Sequence, residues 1–487
     1  MMVLVWLFVA GVGVTLQAQD SSTGPQPRNA DRARKLYEAK LARYKAAPSP
    51  DVLVLPGLVA NRTTKQIELL AESTGLGGNS TAEFLLIDQV SGHGYEALFW
   101  SYAKPSDIHA ALVFVGMQPG APYDPGQLRF WPKGERVMIS LVDTNRPAGT
   151  SPLRIENLIL DKKTEKPLAE SGFIFTGSIR APDPKGGTGV VYVADNYDPK
   201  SIASLYNEPG TVLDVPWQAD KGAVYGAQVV NPDHVLSAGD LVTLILEPER
   251  KDGSRRVKDL VMDVGLSPGK PGPADPAAKL VETGRSFTFR VKDMKGNVLG
   301  KESSLEGALA AISELLKTGS EPYLSVCFDG ALTLSDVRRT CVILGVIESG
   351  AGLRFEPPQE GQLYFKAFVP DERWRDADAR VAQPWELHLV REKGLVSGKL
   401  VMNESVWTDG NPEPRMKVTS FDVATPKALR EQLDADAGRR KQGNRSPDLP
   451  VLLIYAKGDL TYGELIRFIT PALRTHNTVH VFLPPGS

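Results

Sequence analysis

The chain has 487 residues, with 56 basic against 58 acidic side chains, 7% aromatic residues, 45 glycines and 37 prolines. Its length suggests two to four domains, and balanced charge without a basic run interleaved with aromatics argues against a nucleic-acid partner. Frequent glycine and proline beside few aromatics suit short strands and turns rather than a helical bundle.

In chain order, residues 1–18 form an apolar run that ends in small residues, the shape of a secretory signal cleaved after Ala18. The run lacks a Lys/Arg start, so an uncleaved N-terminal anchor is the second reading, and only that reading gives membrane contact. Both place the chain outside the cytoplasm. Residues 28–48 read as an amphipathic helix, with Tyr37, Leu41 and Tyr44 on one face and Pro48 and Pro50 at its end. From Val52 the period becomes two, in VLVLPGLVA, KQIELLAE, AEFLLID and YEALFWSYA, which are strands.

A short apolar helix follows. Ser106 caps it, Asp107 favours its positive end, and Gly116 with Pro119-Gly120 closes it. Ile108, Leu112 and Val115 share a face that must be buried. Further strands run to Leu241–Leu246, so that residues 51–264 form an α+β domain with a mainly antiparallel mixed sheet. Residues 266–283 are a Pro/Gly linker.

Beyond the linker the chain repeats itself. Glu321–Arg339 aligns with Leu449–Arg467 without a gap, matching Pro322 with Pro450, Gly330 with Gly458, and Leu332-Thr333 with Leu460-Thr461. Each copy reads as strand, glycine turn and helix, preceded by a hairpin and a helix. This predicts two small ββαβαβ modules, at 284–357 and 385–484.

Two resemblances add to this reading. Glu96-Ala97-Leu98, Lys104-Pro105-Ser106, Ile108 to Leu112, Pro119-Gly120, Phe175 to Ser178, Leu205-Tyr206-Asn207 with Pro209, and Val212-Leu213-Asp214 occur in an order that resembles the YdjY-like domain of bacterial envelope proteins. The resemblance implies export and a fold, and that family has no settled activity. Pro450-Val451, Ala456, Leu460 to Gly463 and a last strand from Thr478 to Leu483 resemble the periplasmic domain of ExbD/TolR-type proteins, stator partners of a proton-driven envelope motor. The chain departs from that family at Lys457, where an aspartate is usual, and its one strongly apolar segment carries no acidic residue. Proton coupling needs such a carboxylate, so the motor activity is not carried over.

For chemistry, His93, Glu96 and His109 are the candidate metal ligands, with imidazole and carboxylate suited to zinc. Their spacing matches no compact motif, and a local structural role for His109 stays open. His476 and His480, four apart in a β-rich stretch, lie about 13 Å apart along the chain, which argues against one shared ion. Lys104, Trp131 and Tyr206 are candidate ligand-binding residues. Trp131 and Tyr206 belong to an aromatic set, with Trp100, Tyr102, Phe130, Tyr192, Tyr197 and Trp217, that is either core or a platform for a peptide or glycan. Cys327 and Cys341 are either buried thiols or a disulfide formed in an oxidising compartment. No serine nucleophile elbow, phosphate loop or Cys/His pair is present, and the sequence specifies no cofactor.

The reading that results is a periplasmic or secreted envelope protein of non-catalytic interaction or scaffold type, with envelope proteins or a second copy of itself as partner. A metal-binding protein or metal-dependent enzyme, and an envelope glycan-binding protein, are the alternatives.

Overall fold

The computed structural model describes residues 25–124, 129–142, 152–185, 187, 189–267, 287–300, 303–351, 353–363, 368–370, 385–406, 415–442, 452–474 and 479–483. The fold is α+β. Its contacts divide the chain into two units, residues 1–122 with 132–253, and residues 123–131 with 254–487. Residues 1–18 and the Ala18 cleavage site lie outside the described residues. Among those described, no helix is long and apolar enough to cross a membrane.

The first unit opens with α1 (Ala30–Ala46). Ala33 is buried, and Tyr37, Leu41 and Tyr44 are half-buried on the same face, as their spacing predicts. The start of the helix is held by a buried carboxylate. Glu72 accepts from the amides of Arg28 and Asn29 at 2.6 and 2.9 Å and from the Tyr102 hydroxyl.

Strands β1 (Val52–Leu55), β2 (Leu58–Asn61), β3 (Gln66–Ser73), β4 (Phe84–Asp88) and β5 (Ala97–Ser101) follow, then α2 (Pro105–Phe114) and β6 (Arg136–Val142). Next come β7 (Phe173–Phe175), α3 (Val193–Asn196), β8 (Ser201–Ser204), β9 (Leu213–Asp214), α4 (Lys221–Val224) and β10 (Leu241–Pro248). Hydrogen bonding runs β3-β10-β6-β7-β9-β8-β4-β5, and β5 pairs again with β3, which closes the sheet on itself. Most pairs are antiparallel, while β4–β5 and β8–β9 are parallel. β6 and β10 alternate buried with partly exposed residues, as strands with one wet face do. β4 and β5 are buried at every position, as their near-continuous apolar sequences require.

Helix α2 buries Ile108, Leu112 and Val115, as predicted. Its capping differs from expectation. Pro105 takes the first helical position, where a missing N–H costs nothing, so Lys104 stands at the N-cap and Ser106 lies inside the helix. The Ser106 amide is instead satisfied by Asp195 of α3 at 2.9 Å. At the other end, Gly116 has φ +96°, and the amides of Gly116 and Met117 return to the carbonyls of Val113 and Leu112, a Schellman motif.

Among the described residues, the second unit contains two sheets. The first holds β11 (Val257–Leu266), β12 (Phe287–Asp293), β13 (Val298–Leu299), α5 (Leu305–Lys317), β14 (Glu321–Phe328), α6 (Leu334–Ala351) and β15 (Arg354–Phe355), in strand order β13-β12-β11-β14-β15. The second holds β16 (Phe368–Pro370), β17 (Trp385–Glu392), β18 (Leu395–Val406), β19 (Arg415–Val423), α7 (Pro426–Gln442), β20 (Leu452–Ala456), α8 (Tyr462–Leu473) and β21 (Val479–Leu483), in order β16-β21-β20-β17-β18-β19.

The repeat is thus realised, with its register corrected. β11 and β17 are equivalent, since each pairs antiparallel with the next strand and parallel with the strand between the two helices. The first copy therefore begins at β11, which the sequence pattern assigned to the preceding domain, and three strands precede the first helix of each copy. The Pro/Gly-rich stretch interrupts the β11–β12 hairpin and so disguises it.

Cys327 and Cys341 are free thiols. Along β14, Leu324, Val326 and Phe328 enter the apolar core that also receives Leu334, Val337 and Cys341 of α6. Cys327 alternates to the opposite face with Ser325, where its Sγ lies 3.7 Å from Gln359 Oε1. Period-two alternation thus points the two sulfurs to different sides of the sheet.

Candidate functional site

One end of the closed sheet gathers ionisable side chains from four segments. β4 and β5 are parallel neighbours, and the amides of Glu83 and Phe84 both donate to the Glu96 carbonyl, so Glu83 and Glu96 enter the sheet side by side. β8 runs antiparallel to β4, which brings its exit, Tyr206 to Glu208, to the same end. Helix α4 supplies Lys221, whose Nζ is 2.7 Å from Glu83 and 5.3 Å from the Tyr206 ring centre.

The loop between β4 and β5 folds His93 back onto this group. His93 Nδ1 lies 2.5 Å from Glu96 Oε1, and the Phe84 ring contacts both His93 and Tyr206 at 6.3 and 5.7 Å between centres. Gly94 permits the fold, because a Cβ there would lie 2.4 Å from the Trp100 ring. Glu83 is buried at 2% exposure, while His93 and Lys221 reach solvent and Tyr95 is exposed.

Charge regulation follows from this burial. The bond to Glu96 holds the His93 imidazole above its ordinary range. Burial pushes Glu208 up to about 7, and a hydrogen bond with Ser201 and the charges of Lys221 and His93 only partly oppose it. Asp214, fully buried in β9, is raised well above a normal carboxyl by the same desolvation. One oxygen each of Glu208 and Asp214 is buried without a hydrogen-bond partner.

The structure brings together only part of what the sequence proposed. His93 and Glu96 meet. His109, in α2, packs edge-on against Phe175 at 5.1 Å and places Nδ1 3.2 Å from the Tyr192 hydroxyl, which itself donates to the Gly177 carbonyl. Burial lowers its pKa. Among the described residues, no group of three or more His, Cys, Asp or Glu side chains could hold a metal ion, so His93, Glu96 and His109 do not form a three-ligand site. His476 lies outside the described residues. His480 is on β21 with its Nδ1 buried and without a partner.

Of the proposed ligand-binding residues, Tyr206 belongs to the cluster but is 8% exposed. Lys104 is exposed at the N-cap of α2, 3.9 Å from Asp107. Trp131 belongs to the second unit, where the Arg354 guanidinium lies 5.2 Å from the centres of both the Trp131 and Tyr323 rings. Trp100 and Tyr102 are also core residues. The residues that sequence reasoning missed are Glu83, Glu208, Asp214 and Lys221, which converge only through strand pairing.

Residues 58–209 match the YdjY domain family. Except for residues 123–131, the match falls in the first unit; it contains Glu83, His93, Glu96, Tyr206 and Glu208, while Asp214 and Lys221 fall just beyond it. No curated protein and no solved structure matches the chain.

A second feature is the joint between the two copies. Leu334 N donates to Leu460 O at 2.8 Å and Tyr462 N to Leu332 O at 2.7 Å; Ser335 N donates to Gly458 O at 3.1 Å and Gly463 N to Gly330 O at 2.9 Å. Thr333 and Thr461 face each other between these pairs. Every bond has its counterpart at the equivalent position of the other copy, so the copies meet about a local pseudo-twofold axis. Thr461 with Glu464 forms a capping box, and Thr333 with Asp336 repeats it.

Proposed function

We propose that the protein is an exported envelope protein of non-catalytic interaction type, in which a YdjY domain is joined to two paired ExbD/TolR-like modules. The observation that carries the reading is β19. This nine-residue strand pairs with β18 along its whole length and, among the described residues, with nothing on its other side. An edge of that length offers a row of N–H and C=O groups to an extended segment of an envelope protein or to a second copy. The apolar start of the chain supports export to the periplasm or beyond, with membrane contact only if residues 1–18 are retained.

In an antiparallel pair, alternate residues direct their backbone groups inward and outward. Val418→Pro and Thr419→Pro therefore differ in kind: one removes a bond to β18 and the other an outward N–H. Affinity capture from gently solubilised envelopes, with the full chain and both variants, tests the reading. The variant that keeps its melting temperature should lose the partner. Capture that is equal in the parent and in that variant would remove β19 as the binding edge.

A further inference from the structure

We propose that the open edge of β19 accepts, as an antiparallel strand, a segment of a different protein that carries a basic residue opposite Asp422, an apolar residue opposite Phe421 and an acidic residue opposite Lys417. A second molecule of this chain does not meet that requirement. The inference rests on the interaction reading above and names the chemistry of its partner.

Residues that face each other across two strands decide which strands accept one another, opposite charges favourably and like charges unfavourably. The inner neighbour of β19 already follows this rule. By register, Lys399 stands opposite Asp422, Leu400 opposite Phe421 and Glu404 opposite Lys417. Residues 399–404 of β18 thus offer Lys-Leu-Val-Met-Asn-Glu to β19. A strand added antiparallel on the outer side also sets its side chains level with the residues it faces, so the same order of basic, apolar and acidic residues repeats these pairs. Lys417 and Asp422 are exposed, Val418 is 59% exposed and Phe421 is half-buried against the core. Val418 and Phe421 fall on opposite faces of the sheet by strand alternation, so an added strand covers apolar surface on both.

A second molecule fails by parity. Along an edge strand only alternate residues turn their N–H and C=O groups outward. When two β19 strands pair antiparallel through the same edge, outward residues meet outward residues. Odd-numbered positions therefore face odd ones, and even face even, in every register. The odd set is Arg415, Lys417, Thr419, Phe421 and Val423; the even set is Met416, Val418, Ser420 and Asp422. Charges in the odd set are all basic, and the charge in the even set is acidic. No register forms an ion pair, and those centred on Lys417 or on Asp422 oppose like charges. Charge on an exposed edge in this way keeps identical chains from joining.

Two short synthetic peptides test the inference on the full chain by fluorescence anisotropy. One carries Lys-Leu-Val-Met-Asn-Glu at its centre, and the other has the Lys and Glu exchanged. The first should bind about tenfold more tightly at low salt, since two favourable pairs replace two unfavourable ones, and the preference should shrink at high salt. Lys417→Gln with Asp422→Asn should bring the two affinities together. Sedimentation of the peptide-free chain should show no association through β19. Equal affinities in the parent, with both lost in the β19 proline variant that keeps its melting temperature, would overturn the charge requirement and leave β19 standing as the binding edge. Dimerisation that this proline variant abolishes would overturn it as well, by making a second molecule the partner. Binding of neither peptide also overturns it, and envelope capture then tests separately whether β19 is a binding edge.

Discussion

Replacing Gly463 with valine tests whether the two C-terminal copies form one cooperative body through their pseudo-symmetric joint. A Cβ at Gly463 would stand 3.0 Å from Gly330 O and 3.2 Å from Gly330 Cα, against backbone rather than a yielding side chain. The substitution should break the Gly463–Gly330 and Tyr462–Leu332 bonds, each worth about 1 kcal/mol net. Forcing a branched side chain between two backbones adds about 1–3 kcal/mol, so the second unit should lose roughly 3–5 kcal/mol in total. Urea unfolding gives the total, and exchange of the Leu334, Tyr462 and Gly463 amides locates the loss without requiring both units to unfold together. Gly438→Ala is the control, because Gly438 lies in α7 with nothing within 4 Å of a built Cβ; it should stabilise by up to about 1 kcal/mol. A Gly463→Val chain with parental stability and unchanged exchange at these amides would refute the view that the joint holds the copies together.

Other outcomes follow from the same structure. Glu72→Gln replaces an acceptor by a donor facing the amides at the start of α1; it should cost roughly 2 kcal/mol and make α1 the first site of limited proteolysis. Leu112→Ala empties a fully buried position of α2 and should lower stability by about 2–5 kcal/mol, measurable by thermal or urea melting of the first unit. Alkylation of the folded chain, even after oxidative incubation, should modify Cys327 slowly and leave buried Cys341 untouched until the chain unfolds. Burial raises both thiols, which leaves little thiolate at neutral pH; a mass two hydrogens lighter would show a bond that the opposed faces of β14 argue against.

Much of the local structure was legible in the sequence because it depends on near neighbours. The spacing of Ile108, Leu112 and Val115 defines the buried face of α2 whatever covers it, and Gly116 closes the helix because its left-handed conformation is strained for other residues. The duplicated Leu-Thr at Leu332-Thr333 and Leu460-Thr461 marks two equivalent helix starts. Even the failure of a Cys327–Cys341 bond is implicit in strand alternation, once Val326 and Phe328 are known to face the helix. What stayed hidden depends on pairing between distant segments. β11 looked like the end of the first domain because its hairpin partner lies beyond a Pro/Gly stretch. Ser106 looked like a cap because nothing nearby in sequence announces that Asp195 satisfies its amide.

The candidate site divides in the same way. His93 and Glu96 are three residues apart, and their bond needs only a tight loop that Gly94 allows. Glu83, Glu208, Asp214 and Lys221 join them because β4 lies beside β5 and β8 returns antiparallel to β4, and no spacing along the chain encodes that closure. By itself the sequence determined periodicity, caps, turns and the internal repeat, all set by steric and hydrogen-bonding preferences within a few residues. Only the tertiary structure decided which charges share a desolvated space, since the interaction of two carboxylates depends on their distance and burial and not on their separation in sequence.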